Sequence, residues 1–450
     1  MSKIGQRKKV GSTATVDEHS KENASVTSLP DKPSFEREID SFVLNVEGLS
    51  RAYHQTMKVV TTSAKELVEA FLNFLEEKGV VTTTEGGKAA YQIKPADLRF
   101  IKKQSKDISA SSIAVMKIPQ IFFCSLVHQY DAFLGRMLRV AFYLKPETLN
   151  SSQKQMTFSD LMSFNSLDEA REHMIEKEIE SIIRDNHDDQ FTLMENRFGL
   201  ALRKDLPAWP AFIEMTERRN LFVHCDGVVS SQYLSVCQKH GVSTDKELRP
   251  GEPLHVTREY FEGAVDCILE IGVKLGHVLW RKLQPNQLAA ADNSLHRITY
   301  DLLLDEKYLL AKTLLHFASN ILKKHSSESM HRMNLINLAI AHYHLDEKPK
   351  ANQLIDSQDW SACEDKFKLA VAVLRDDYPG AEKLMKKIGK KGEVTREDYS
   401  SWPLFRTFRE SREFLRTYKK LFGTDFLVPK EDIEQGLNTE ENQQVVPPDR

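Results

Sequence analysis

Apolar residues recur at helical spacing through most of the chain. Within residues 63–79 one helical face carries Leu67, Ala70, Phe71, Phe74 and Leu75, and Gly79 is placed to end that helix. Residues 118–144 are apolar on more than one face. This predicts a helix that starts near Pro119 and is buried on two sides, as in a bundle centre or a dimer interface. The stretch 82–93, TTTEGGKAAYQI, predicts a short connection or hairpin.

Local signals delimit further helices. Ser166, followed by Glu169 three residues on, is typical of a capping box at a helix start. One helix is expected to end near Gly199, and another to start near Pro210 and stop near Gly227. Together with a helix over residues 257–283, these segments predict a bundle of antiparallel helices joined by modest loops.

The C-terminal third contains an internal repeat. Residues 338–351, LAIAHYHLDEKPKA, resemble residues 369–381, LAVAVLRDDYPGA, at a spacing of about thirty residues. Each copy has an alanine-rich helix, a short acidic turn and a second helix, the organisation of stacked helix–turn–helix repeats. Residues 311–322 are interpreted as the second helix of an earlier unit. The pattern resembles degenerate tetratricopeptide repeats without their full signature.

The two ends of the chain are polar and lack periodic apolar positions, so we predict that they are disordered. The predicted fold class is all-α: a helical bundle with an N-terminal helical extension and a C-terminal repeat region. The predicted divisions are a disordered arm, a helical extension, the bundle, the repeats and a disordered acidic tail, over residues 1–34, 35–117, 118–283, 291–427 and 430–450.

Composition and charge narrow the functional class. With 41% hydrophobic and 28% charged residues, the chain has the composition of a soluble globular protein. Only 19 glycines and 16 prolines in 450 residues argue against an all-β fold rich in tight turns. The formal net charge of −3 excludes a globally basic surface, so a nucleic-acid partner would need a local basic patch.

Cysteine usage and hydropathy indicate a cytoplasmic protein. The five cysteines form no CxxC pair, as expected of reduced thiols in a cytosol. No apolar region follows the charged N-terminus, so we expect no secretory signal. No run of eighteen or more apolar residues occurs, and we expect no membrane span.

One short segment carries the candidate chemistry: residues 218–224, RRNLFVH. Arg219 and His224 have four residues between them, and Arg218 and His224 have five. On a helix, Asn220 and His224 are i and i+4 and therefore neighbours on one face. Arg219 lies one position round and can bend its long side chain towards the same pocket.

This arrangement resembles the R-x4-6-H motif of the HEPN ribonuclease superfamily, in which the residue after the arginine is usually polar, as Asn220 is. The resemblance covers residues 118–283, and repeat-like regions also occur beside such domains. It implies a metal-independent RNA endonuclease that uses the substrate 2′-hydroxyl and leaves a 2′,3′-cyclic phosphate. Within the superfamily, the chain is similar to the long bacterial proteins with C-terminal repeats. This similarity implies a toxin-like effector in anti-phage or stress defence.

The resemblance also implies roles for individual residues. Arg219 would hold the phosphate and offset the charge on its oxygens, His224 would transfer the proton, and Asn220 would orient the reacting groups. The candidate supporting residues are Arg218, Asp131, Arg184 and His187. No cofactor or metal is expected, because metalloprotease, nucleotide-binding-loop and nucleophile-elbow patterns do not occur. The acids beside His187 are interpreted as a solvated helix start.

The expected partners are RNA and a second copy of the chain, since two such motifs face each other across a dimer in the family. The repeats are expected to dock a regulatory or sensor protein. Two alternatives stay open. The cations of the motif could simply occupy the C-terminal turn of a helix, where the dipole favours them. The chain could also be a catalytically silent HEPN scaffold that binds RNA, a nucleotide or a partner protein.

Overall fold

The computed structural model describes residues 33–83, 89–151, 156–204, 206–242 and 248–426. The predicted all-α class is confirmed. Of the predicted disordered arm over residues 1–34, residues 1–32 fall outside the described residues, as does the predicted tail 430–450, while Ser34 is described and caps α1. Within the described ranges the helices are α1 (Phe35–Lys78), α2 (Leu98–Leu144), α3 (Phe158–Met162), α4 (Leu167–Arg184), α5 (His187–Phe198), α6 (Trp209–His224), α7 (Ser231–Lys239), α8 (Arg258–Leu283), α9 (Leu288–Leu304), α10 (Tyr308–His316), α11 (Glu328–His344), α12 (Lys348–Asp356), α13 (Asp365–Leu374), α14 (Tyr378–Ile388), α15 (Arg396–Ser401) and α16 (Arg412–Phe422).

Shorter elements join these helices. Strand β1 (Val80–Thr83) pairs antiparallel with β2 (Ala89–Gln92), with Val80 opposite Gln92, which confirms the predicted hairpin. A π-helix over Phe317–Ile321 follows α10 directly. The 3₁₀ turns span Pro95–Asp97, Pro146–Ser151, Pro285–Gln287, Pro403–Phe405 and Phe408–Glu410.

Several predicted helix ends are confirmed. α5 ends at Gly199 in the left-handed conformation, and Pro210 lies in the first turn of α6. Ser166 caps α4 by accepting the backbone N–H of Glu169. In a capping box the Glu169 carboxylate would also accept the backbone N–H of Ser166. Here it accepts the backbone N–H of the preceding residue, Asn165.

The prediction that a helix starts at Pro119 is wrong. α2 begins at Leu98, and Pro119 lies inside it. A proline within a helix removes one backbone hydrogen bond, and the packing of α2 outweighs that loss. From Pro119 to Phe142 the helix buries thirteen residues against α1, α4, α6 and α8, which confirms its predicted burial on more than one side. Residues 117 and 118, where we placed a division, are consecutive residues of α2.

Two glycines of α8 allow α1 to pack closely against it. A Cβ atom at Gly272 would lie 2.2 Å from the Phe42 ring, and one at Gly276 would lie 2.8 Å from Ile39. Both α1 side chains are fully buried, and Phe42 also stacks on Phe133 of α2 at 4.2 Å between ring centroids. The first half of α1 therefore belongs to the core of the bundle.

The rest of α1 and the start of α2 form a two-helix arm, here defined as residues 54–118. None of its residues whose burial is described is buried, whereas burial in α1 extends only to Tyr53 and burial in α2 resumes at Pro119. The two helices pack on each other, with Phe74 and Phe100 at 4.4 Å between ring centroids.

One segment, Pro95–Leu144, which comprises α2 and the turn before it, is long and apolar enough to cross a membrane by length and composition alone. Core helices of soluble proteins meet the same criterion.

Three helix pairs of the C-terminal region, α9–α10, α11–α12 and α13–α14, share one turn geometry. In each turn an acidic residue adopts the left-handed conformation, at Glu306, Asp346 and Asp376. The next residue donates its backbone N–H to the carbonyl five positions back in every case. In each unit the alanine five residues after this acidic residue is buried: Ala311, Ala351 and Ala381.

The three turns are unequally spaced. Asp346 follows Glu306 by 40 residues, and Asp376 follows Asp346 by 30. The first unit is therefore longer by about one helical turn and a loop. The additional length falls between α10 and α11, where the π-helix and residues 322–327 are located.

His277 of α8 makes stability depend on pH. It is fully buried, and neither ring nitrogen is hydrogen-bonded to a described residue. Burial, reinforced by Arg281, lowers the pKa of His277 to about 3 from its ordinary 6.5. As the pH falls below about 6.5 the unfolded chain is protonated first, so stability present at neutral pH is lost progressively down to about pH 3.

We expect this loss to reach about 2 kcal/mol at pH 5. His277→Leu should therefore show a smaller decrease in melting temperature between pH 7 and pH 5 than the wild-type chain. His316→Leu, which removes an exposed histidine, is the control. Identical pH dependence in the two variants would contradict the role of His277.

Candidate functional site

The RRNLFVH motif occupies the last two turns of α6, and His224 is the final helical residue. The chain reverses immediately afterwards through Asp226 and Gly227, both with positive φ. The Gly227 N–H donates to the Leu221 carbonyl at 3.0 Å, and Lys117 of α2 forms an ion pair with Asp226. These contacts fix the end of α6 against α2.

Arg219 is held by a carboxylate of the long helix. Its Nη2 donates to Asp131 Oδ2 at 3.1 Å, and the other oxygen of Asp131 lies 2.9 Å from His187 Nε2. The His187 ring is buried between Tyr130 and Phe212, at centroid distances of 5.9 and 5.4 Å. Three candidate residues from α2, α5 and α6 are thus brought together.

The Arg219 guanidinium is only partly committed to this contact. Its Nε is buried without a hydrogen bond to any described residue, while about a quarter of the side chain stays exposed, at 26%. The thiol of Cys124 lies close by: burial raises its pKa, and the positive charge of Arg219 opposes that rise. Asp131 therefore positions the arginine and leaves part of it accessible.

Asn220 and His224 differ from Arg219 in having no internal partner. Asn220 is half-buried and His224 is exposed, and neither side chain is hydrogen-bonded to any residue that the structure describes. They lie one helical turn apart on α6. A free amide and a free imidazole at this end of the helix are available to a ligand.

Arg218 belongs to a separate buried network. Its Nε donates to Glu214 Oε1 at 2.6 Å, and its guanidinium lies 3.9 Å from the centroid of the Tyr260 ring. The hydroxyls of Tyr233 and Tyr260 donate to the same Glu214 carboxylate, at 2.5 and 2.6 Å. Burial, followed by the charge of Glu214, raises the pKa of both phenols. The geometry thus commits Arg218 to the fold.

The remaining candidates lie apart from the motif. Arg184, at the end of α4, has an exposed side chain paired with Glu180, and no described contact joins it to Arg219 or His224. Asp188, next to His187, instead forms ion pairs with Arg203 and Lys239. Among the residues that the structure describes, no three histidine, cysteine or acidic side chains converge as a metal site would require.

A surface hollow of about 610 Å³ lies beside the motif. Phe222 of α6 forms one wall, and one face of α2 forms the other with Lys117, Gln120, Ile121, Cys124, Ser125 and His128. It combines apolar and aromatic surface with two side chains that can carry positive charge. We did not predict this hollow, although residues 117, 120, 121, 124 and 128 recur at helical spacing as a mixed polar face on an otherwise apolar helix.

No protein-family model, no curated protein and no solved structure matches this chain. The resemblance to HEPN ribonucleases therefore rests on the motif and on its position at the end of a bundle helix.

Proposed function

We propose that this chain is a metal-independent RNA endonuclease of the HEPN type, with its active site at the end of α6. The observation that carries the proposal is that one end of α6 presents Asn220 and His224, which have no partner among the described residues, together with an arginine that Asp131 holds in place. Both side chains are therefore free to contact a substrate.

The proposed reaction needs only the groups present. The substrate 2′-oxygen forms a bond to phosphorus, the bond from phosphorus to the 5′-oxygen breaks, and the products are a 2′,3′-cyclic phosphate and a 5′-hydroxyl. His224 transfers the proton between the 2′-hydroxyl and the leaving 5′-oxygen. Arg219 offsets the charge on the phosphate oxygens, and Asn220 donates a hydrogen bond to the phosphate.

The adjacent hollow supplies a place for the substrate. Phe222 and His128 present rings on which an unpaired base can stack, and Lys117 can contact a phosphate. A single strand laid across the hollow would bring its backbone towards the end of α6. A phosphate would share Lys117 with Asp226, which already pairs with it.

A homodimer through the bundle is part of the proposal. Apolar side chains are exposed around the motif: Ile121 at 62%, Val223 at 55% and Val228 at 39%. Burying them against a second copy across a two-fold axis would bring two motifs together in one cleft. We further propose a toxin-like role in bacterial defence in the cytoplasm, with a regulatory protein docked on the repeats.

A second function is favoured by one observation. Arg219 and Asp131 already satisfy part of each other's charge at 3.1 Å, as expected of an arginine that only stabilises the fold. On this alternative the chain is a catalytically silent scaffold that binds RNA, a nucleotide or a partner protein.

Cleavage of labelled RNA in EDTA distinguishes the two functions. The wild-type chain is expected to release a 2′,3′-cyclic phosphate product, and to leave intact a matched oligonucleotide with 2′-deoxyribose throughout, because that substrate lacks the nucleophile. Cleavage of both substrates would contradict the proposed chemistry. Binding of the RNA without cleavage would support the scaffold.

A further inference from the structure

A cavity lies away from the α6 motif, between the bundle and the repeats. Its volume is about 710 Å³, within the range of small-ligand sites. The connection from α5 to α6 and one face of α8 form the bundle side. α10, the π-helix and single residues of α11 and α12 form the repeat side.

Much of the lining of this cleft is apolar. The apolar side chains include Phe191, Leu206, Ile271, Leu275 and Phe317. Two of these are phenylalanines, one from each side of the cleft. Both rings are almost fully buried, so a flat ring system such as a nucleobase would gain here from the burial of apolar area, not from stacking on an open ring face.

The same lining also carries positive charge. Four lysines line it, Lys204, Lys274, Lys312 and Lys350, against the carboxylate of Glu270, which pairs with Lys274 at 2.5 Å. Lys204 forms no ion pair with another described residue and is exposed. Four lysines and one acid, Glu270, thus line the cleft.

A second carboxylate arranges part of this charge. Glu347 lies within 3.2 Å of Lys312, 3.0 Å of Lys350 and 2.5 Å of His342 Nδ1. These three partners hold the pKa of Glu347 at about 2. Each ammonium group has three N–H donors, so the two lysines keep donors for an anionic ligand after binding Glu347.

The repeat side of the cleft departs from regular helical structure. The π-helix places Phe317 and Ile321 in the cleft wall. π-helical segments are rare and occur frequently at functional sites. This segment also belongs to the additional residues of the first repeat unit, and insertions in repeat arrays commonly map to the binding face.

We propose that this cleft binds a free nucleotide, with the base between the apolar walls and the phosphates on the lysines. A nucleotide joins a flat, largely apolar ring system to a compact anion, and the cleft offers both apolar side chains and lysines. The proposal does not depend on RNA cleavage at His224.

Displacement of fluorescent N-methylanthraniloyl-ADP from the full-length chain tests this site. ADP is expected to displace the probe, whereas adenosine and pyrophosphate each compete at least about tenfold more weakly, because adenosine lacks the anion and pyrophosphate lacks the apolar ring system. The Lys204→Ala/Lys312→Ala variant should bind the probe about tenfold more weakly or worse, since charge-assisted hydrogen bonds to phosphate are lost.

Three further variants separate binding in the cleft from general effects. Ala201→Trp places a large side chain at the exposed rim of the cleft without changing its charge, and should abolish displaceable binding. Lys383→Ala removes an exposed lysine that does not line the cleft, and should bind the probe like the wild type. His224→Ala should also bind normally. Circular dichroism establishes that each variant is folded.

Three results would overturn the proposal. One is no displaceable probe binding by the folded wild-type chain with ADP up to about 1 mM, the weak limit of specific affinity. Another is equal affinity in the wild type and Ala201→Trp. The third is displacement by a short single-stranded RNA but not by ADP, which would make the cleft a binding site for RNA.

Discussion

Replacing His224 by alanine is expected to lower the rate of RNA cleavage about 10²–10⁴-fold, the usual contribution of a general acid or base. The loss should appear in the chemical step, because the imidazole transfers a proton and is not needed to hold the fold. His224 is exposed and has no hydrogen bond to a described residue, so the melting temperature should stay close to that of the wild type. Initial rates of cyclic-phosphate release under single-turnover conditions measure the effect.

The matched control is His255→Ala. His255 is also exposed and lies just before α8, and its side chain has no described partner. Its replacement should leave the rate unchanged. Arg219→Lys adds a further comparison: it keeps the charge but loses the planar fork that binds two phosphate oxygens at once, so its rate should also fall. Equal rates in the wild type and His224→Ala would exclude His224 as the proton-transferring group.

Replacing Glu214 by alanine is expected to destabilise the fold by about 3–5 kcal/mol, the usual cost of removing one partner of a buried ion pair. The carboxylate is buried and accepts hydrogen bonds from Arg218, Tyr233 and Tyr260. Without it, the Arg218 charge and two phenol hydroxyls are left buried and unpaired. Urea unfolding followed by circular dichroism measures the change in the free energy of unfolding.

Glu217→Ala is the control for this experiment. Glu217 lies on the same helix, no hydrogen bond joins its carboxylate to a described residue, and burial raises its pKa. Its removal is expected to change stability by less than about 1 kcal/mol. If the two variants unfolded at the same urea concentration, Glu214 would not be stabilising the fold through its three donors.

The sequence predicts most of the fold because its signals are local. The all-α class, the hairpin and the ends marked by Gly199 and Pro210 follow from spacing and from the backbone preferences of glycine and proline. The helix start predicted at Pro119 was wrong because tertiary packing of α2 against four helices offsets the one backbone hydrogen bond that the proline removes. An earlier repeat unit was predicted from residues 311–322, but its turn at Glu306 was not located, because it precedes Asp346 by 40 residues and not by the 30 that separate Asp346 from Asp376.

The candidate site was less predictable, since its contacts join distant parts of the chain. Helical spacing identifies Asn220 and His224 as neighbours on α6. It cannot show that Asp131 binds both His187 and Arg219, because these residues are 56 and 88 positions away in the sequence. The same limit applies to Glu214: its contact with Arg218 is an i, i+4 pair, but its contacts with Tyr233 and Tyr260 depend on the packing of other helices.

The two-helix arm affects how the mass of this protein has to be measured. Its α1 portion, residues 54–78, is roughly 37 Å long at 1.5 Å per residue, and packs on α2 without adding to the buried core. A chain with such an arm diffuses more slowly than a sphere of equal mass. On a gel-filtration column the monomer would therefore elute early, in the direction expected of a compact dimer. Light scattering or sedimentation equilibrium, which report mass independently of shape, are the measurements that can count the subunits.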